Sequence, residues 1–126
     1  MDNDMALTDA DYAALADFRH TLRQFVAFSE SKAIEAGLTP QQHQALLAIR
    51  AAPPGTATVG YVAERLILKP HSATGLVDRL EALEFVERQP SSEDRRGSIL
   101  YLTSKAQALL TVLSAAHKEE ITRLEP

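Results

Sequence analysis

Residues 58–102 constrain the fold more tightly than any other part of the chain: TVGYVAERLILKPHSATGLVDRLEALEFVERQPSSEDRRGSILYL. Apolar residues recur at helical spacing in two short stretches, Val59, Val62, Ala63 and Leu66, then Ala73, Leu76, Val77, Leu80 and Leu83. Leu68-Lys69-Pro70 lies between them, and a proline suits the first turn of a new helix while it cannot continue the old one. Two β-biased runs follow, Phe85-Val86-Glu87-Arg88 and Ser98-Ile99-Leu100-Tyr101-Leu102, parted by a polar stretch that ends in Gly97. The expected product is a pair of helices joined by a tight turn, then a hairpin with a charged tip.

The flanks read as further helices. Thr8 can cap a helix over residues 8–36, with Asp9 and Asp11 at the positive end of its macrodipole. Tyr12, Leu15, Phe18, Leu22 and Phe25 then share one face, and Gly37 ends the helix. A stripe this long exceeds what one small domain can bury, which points to a partner subunit. Thr39-Pro40-Gln41-Gln42 has the form of a capping box with proline at the first position, and Leu46, Leu47 and Ile49 supply that helix's apolar face up to the break at Pro53-Pro54-Gly55. Thr103 caps a last helix with Leu109, Leu110, Leu113, Ile121 and Leu124 on a stripe interrupted by His117. The predicted fold class is mainly α: a winged helix-turn-helix with long N- and C-terminal dimerisation helices and a two-stranded β-wing.

A chain of 126 residues has room for one well-cored domain. It has no cysteine, which excludes disulfides, thiolate metal sites and a cysteine nucleophile. The opening MDNDMALTDADY is acidic and lacks the basic and apolar regions of a signal peptide, and no apolar run approaches the roughly 20 residues that span a bilayer. A cytoplasmic location is expected. The net charge is −4, and residues 51–102 carry seven acidic and six basic side chains, so that segment is nearly neutral. If it binds nucleic acid, binding must depend on local basic groups, fall with salt and need base or shape readout.

A winged helix-turn-helix places its second helix in the major groove and its hairpin along the neighbouring minor groove. Pro70, His71, Ser72 and Thr74 then fall in the first turns of that helix, where base contacts are made; the alternative for Ser72 and Thr74 is a capping role. Lys69 and Arg79 suit phosphate positioning, although Arg79 has Asp78 and Glu81 as possible surface partners. Arg95 and Arg96 at the hairpin tip suit a narrow, electronegative minor groove.

The segments GLTPQQHQALLAI, TVGYVAERLILKPHSATGLVDRLEAL and FVERQPSSEDRRGSILYLTSKAQALL resemble the MarR family of regulators, above all through VDRLE followed by FVER, and DRR followed by LT. The resemblance covers nearly the whole chain. It implies a single domain over 1–126, a DNA-binding module at 58–102, and a homodimer held by helices at 8–37 and 103–126. It implies double-stranded DNA with a pseudo-palindromic operator as partner, repression of adjacent genes, and release by a small, often aromatic, effector bound between the dimerisation helices and the winged module. Asp94 would pair with Arg65 to hold the wing at a fixed angle. The chain departs from the family at Glu84 and Ala106, where glycine is habitual. Relatives often continue for another helix past the position of Pro126, and if that helix is missing here the resemblance implies a smaller dimer interface.

No glycine-rich phosphate loop or supported nucleophile–base pattern is present, so no enzyme activity is expected; Ser91 and Ser92 have no histidine placed to activate them. His20, His43, His71 and His117 include no pair at the i, i+4 spacing of a helical zinc site, so neither metal nor cofactor is expected. Tyr12, Phe18, Phe25 and Phe28 suit an effector pocket, and suit core or interface better, so no ligand-binding residue is assigned. The competing reading is a winged-helix module that binds protein instead of DNA, which the near-neutral charge of residues 51–102 favours. A further possibility is DNA binding without any effector.

Overall fold

The computed structural model describes residues 6–90 and 97–124. Within them the chain forms α1 (Asp9–Glu35), α2 (Pro40–Ala51), α3 (Val59–Leu66), α4 (Pro70–Ala82), β1 (Val86–Pro90), β2 (Ser98–Leu102) and α5 (Ser104–Leu124). The two strands pair antiparallel, with Val86 opposite Leu102 and Arg88 opposite Leu100. Phe85 is buried just ahead of β1 instead of lying within it. No helix among the described residues is long and apolar enough to cross a membrane.

Threonines start four of the helices. Thr8 and Asp11 exchange reciprocal bonds of 3.2 and 2.9 Å, and Thr39 and Gln42 do the same at 3.1 and 3.0 Å. The Thr58 hydroxyl oxygen accepts from the Tyr61 amide at 3.0 Å, and that of Thr103 from the Ala106 amide at 3.2 Å. Each cap satisfies a donor with no partner inside its helix and stabilises by about 1 kcal/mol. At α4 the N-cap is Lys69, and no side chain caps it.

Three helices leave by one device. After α1, Gly37 takes φ 85°, and the Leu38 amide reaches back to the Ala33 carbonyl at 2.9 Å. After α3, Ile67 takes φ 56° and Leu68 bonds Ala63 at 2.8 Å; after α4, Glu84 takes φ 65° and Phe85 bonds Leu80 at 2.9 Å. A left-handed residue followed by an apolar one that packs inward is the Schellman arrangement. Only the first exit uses glycine. For Ile67 and Glu84 the left-handed backbone costs about 1–2 kcal/mol each. The inward-packed Leu68 and Phe85 help to hold these exits in place. Glu84 therefore keeps the turn that a glycine would make, and the helix exit is unaltered. It is reinforced by the Thr103 hydroxyl donating to the Glu84 carbonyl (2.7 Å) and Lys105 Nζ donating to the Leu83 carbonyl (3.1 Å).

The largest fully buried side chains are Leu46, Val62, Leu80, Val77, Val86, Leu100 and Leu110, drawn from α2, α3, α4, both strands and α5. Leu100 also donates its amide to the Ala57 carbonyl at 2.7 Å, tying the α2–α3 loop to the sheet. From α1 only Ala33 is buried. Three residues of the expected apolar faces are exposed. Leu83 caps the end of α4 with its side chain outward, whereas Leu47 and Ile121 stand on the wall of a surface cavity. In α5 the buried line runs through Ala106, Leu110, Leu113, His117 and Glu120, so His117 belongs to the stripe and does not interrupt it.

Candidate nucleic-acid interface

Helix α4 is divided sharply. Ala73, Leu76, Val77 and Leu80 are buried, while Lys69, Pro70, His71, Ser72, Thr74 and Arg79 are all exposed. All six residues expected to meet DNA therefore face away from the core, five of them at or beside the start of α4 and Arg79 in its last turn. Without a side-chain cap, the first-turn amides of α4 remain available to an incoming anion, and phosphate oxygens suit that position. Neither Ser72 nor Thr74 has the capping role. The Thr74 hydroxyl donates to the Pro70 carbonyl at 3.1 Å, which leaves its oxygen as an acceptor and its methyl as an apolar edge.

Asp94, Arg95 and Arg96 lie outside the described residues, so the wing tip and the expected Asp94–Arg65 pair have no geometry here. Arg65 is exposed on α3. Another contact ties the wing to α4. Arg88, on β1, hydrogen-bonds Asp78, and its Nε lies 3.6 Å from a Glu81 oxygen. Asp78 and Glu81 are thus engaged by Arg88 and not by Arg79. The guanidinium is more than half buried, so the pair is screened less than a fully exposed one. Sequence spacing relates side chains on one helix, and nothing in it links a helix residue to a strand ten positions later; only the fold brings Arg88 to α4.

A cavity of about 580 Å³ opens between α1, α2 and α5. Phe25, Val26, Leu47 and Ile121 give it apolar walls, and His43 and His117 lie side by side at its floor with ring centroids 4.9 Å apart. Of the expected aromatic stripe, Phe25 lines the cavity and Phe28 packs on the His117 ring at 5.3 Å, whereas Tyr12 and Phe18 point to solvent. His117 Nδ1 is 2.6 Å from the Leu113 carbonyl, and Nε2 is 2.9 Å from the Ser29 hydroxyl. A carbonyl only accepts, so Nδ1 carries the proton and Nε2 accepts from Ser29 in the neutral ring. His43 is 3% exposed and its Nδ1 has no partner. Burial, and then the neighbouring His117, lower its pKa. Neither histidine carried a sequence signal, since a contact between α2 and α5 has no local spacing.

Residues 36–97 match a model of the MarR family. Over 55 residues, 44% of this chain, the sequence is 42% identical to YfiV of Bacillus subtilis (strain 168), an uncharacterised HTH-type transcriptional regulator; the match spans 34% of that relative's length. AbsC, a MarR family transcriptional regulator from Streptomyces coelicolor, superposes with a TM-score of 0.75 at 19% identity, covering 94% of this chain and 80% of AbsC. S. aureus MepR in a complex with DNA superposes with a TM-score of 0.68 at 19% identity, covering 91% of this chain and 85% of MepR. At such identities the structural matches speak for the fold alone. Together with the family model and the helix-turn-helix relative, they lead to one assignment: residues 36–97 are a MarR-family module, set in a chain with the MarR winged helix-turn-helix fold.

Proposed function

We propose that the chain is a dimeric, sequence-specific DNA-binding transcriptional regulator, not an enzyme. The observation that carries this is the start of α4, where Lys69, Pro70, His71, Ser72 and Thr74 stand exposed around an uncapped helix N-terminus whose opposite face is fully packed. In that setting Pro70, His71, Ser72 and Thr74 meet base edges, and Lys69 and Arg79 hold phosphates. Arg95 and Arg96 take the minor groove, and Arg65 with Asp94 orients the wing. The module at 58–102 would be carried by helices at 8–37 and 103–126 within one domain, 1–126. The exposed faces of those helices support pairing with a second copy, which would present two α4 helices to a pseudo-palindromic site on double-stranded DNA in the cytoplasm. The cavity between α1, α2 and α5 suits a small aromatic effector that releases a repressor from DNA.

The test is fluorescence anisotropy with the duplex upstream of the protein's own gene, at two salt concentrations, against an unrelated duplex. Tighter, salt-sensitive binding to the first is expected. Removing the charge of Arg79 or Arg96 by alanine substitution should weaken binding and lower the salt slope by about 1 for each lost phosphate contact. Equal weak binding to both duplexes, with affinity unmoved by either substitution, would overturn the DNA reading in favour of a protein partner.

A further inference from the structure

We infer that the buried His43–His117 pair is a proton switch between the winged module and the long helices, set so that acid loosens the grip on DNA. For that functional readout the inference rests on the DNA-binding reading above. It concerns a place where three elements converge: α2 contributes His43, α5 contributes His117, and α1 contributes Ser29, Phe25 and Phe28 around them.

In the neutral state the arrangement is closed. His117 gives its one proton to Leu113 and receives one from Ser29, while His43 packs against it. One added proton has no comfortable place. On His43 Nδ1 it would point into protein with no acceptor, and an unsatisfied buried donor costs about 1–3 kcal/mol. On His117 Nε2 it would turn an acceptor into a donor, forcing the Ser29 hydroxyl to rotate, and it would set a positive ring against His43. Two charged rings at that separation exclude each other.

The surroundings supply no ready counter-charge. On the cavity wall the other ionisable side chains among the described residues are Glu30 from α1 and Lys118 from α5, one of each sign. Glu120, buried on α5, is bound by Arg123 at 2.6 and 2.8 Å, and that pairing holds its carboxyl below the ordinary range. Lys32 of α1 stands 5.6 Å over the Phe28 ring and pairs with Glu35, adding positive charge to the same side. α2 carries no further acidic side chain.

The consequence follows from where α2 sits. The helix that bears His43 also bears Leu46 and Ile49, which belong to the core cluster with Leu76, Val77 and Leu80 of α4. Separation of the two rings therefore moves α2 against α5, and the α4 helix moves with it. In a dimer the two α4 helices must match a fixed half-site spacing, so a small shift of each weakens binding.

The experiment follows the imidazole and backbone amide resonances of the full chain by NMR from pH 8 to 5, and DNA affinity by anisotropy over the same range. Because His71 lies at the groove end of α4, where its own protonation would tighten binding, affinity is compared in a His71→Gln background. The expected result is that the His43 and His117 rings report one shared protonation event, and that amides along α2 and α4 shift with the same midpoint. Affinity should fall about tenfold between pH 7.5 and 5.5, the change that one proton-linked unit produces. Adding His43→Gln should reduce the fall to under twofold; His117→Asn is the second variant if His43→Gln loses its folded spectrum. Independent titration of the two rings, or amides of α4 that ignore their protonation, would overturn the switch while leaving DNA binding intact. An acid loss that survives both substitutions would do the same. A chain that binds no duplex at any pH would remove the DNA reading, and the resonances alone would then decide whether the proton moves α2.

Discussion

The winged module and the long first helix use apolar residues in opposite ways. From α2 to β2 nearly every apolar position that helical or strand spacing turns inward is buried, and Leu80, Val77 and Val62 are fully enclosed. Along α1, Tyr12, Leu15, Phe18, Leu22 and Val26 stand in solvent, and Phe18 is 64% exposed. The module satisfies its own hydrophobic pattern, whereas α1 has a pattern that the described residues leave uncovered. Periodicity marks which residues share a face; it does not say whether the surface that covers the face belongs to the same molecule.

That contrast can be broken at its strongest point first. Leu80→Ala should destabilise the chain by about 2–5 kcal/mol, read by chemical denaturation, because it leaves a cavity in a packed core. Replacing both Phe18 and Leu22 by alanine should change the unfolding of dilute protein far less. It should weaken self-association by about 1–3 kcal/mol in sedimentation velocity, as expected if a partner covers those side chains. An unchanged association constant would mean that the α1 stripe is not the interface. Ile67→Gly should move the other way, stabilising by roughly 1 kcal/mol, since Ile67 is left-handed and 91% exposed and loses no burial. A lower melting temperature for that variant would show that the side chain has a role the exposure hides.

The smallest effect is that of pH on stability. Burial, and secondly His117, lower the pKa of His43 in the folded chain, while the unfolded residue titrates near 6.5. Between the folded value and about 6.5 the unfolded chain binds more protons, so stability rises with pH across that window and is lost as pH falls through it. Denaturation midpoints measured at pH 7.5 and 5.5 should decline toward acid in the wild type and decline less in His43→Gln.

Much of this fold was legible because its signals are local. Thr8, Thr39, Thr58 and Thr103 each mark a helix start within three residues, and Pro70 fixes the turn before α4. The exposed residues at the α4 start follow from the same periodicity that buries Ala73 and Leu76. What was not legible depends on distant segments meeting. Leu47 and Ile121 carry apolar side chains at helical spacing, which says nothing of what they face, and they line the cavity between α1, α2 and α5. The expected Asp94 tether lies outside the described residues, and a further one, between Arg88 and Asp78, comes through a hydrogen bond that only the hairpin's seat on α4 allows. The His43–His117 contact is of the same kind, two unremarkable positions made into a site by the crossing of two helices.

The contact of Arg88 with Asp78 and Glu81 also sorts charge. Carboxylates on a helix that meets DNA oppose it, and this chain is acidic as a whole. Arg88 gathers two of those carboxylates around one guanidinium on the strand side, so that Lys69 and Arg79 are the ionic groups the helix has left to offer a polyanion. On the proposed DNA-binding reading the module would act as an oriented dipole with little net charge: long-range attraction to DNA would be weak, but a molecule that arrives would be turned to meet it with the α4 face. Losing Arg88 would free two negative charges on α4 and, on that reading, cost the orientation before it cost any contact with a base.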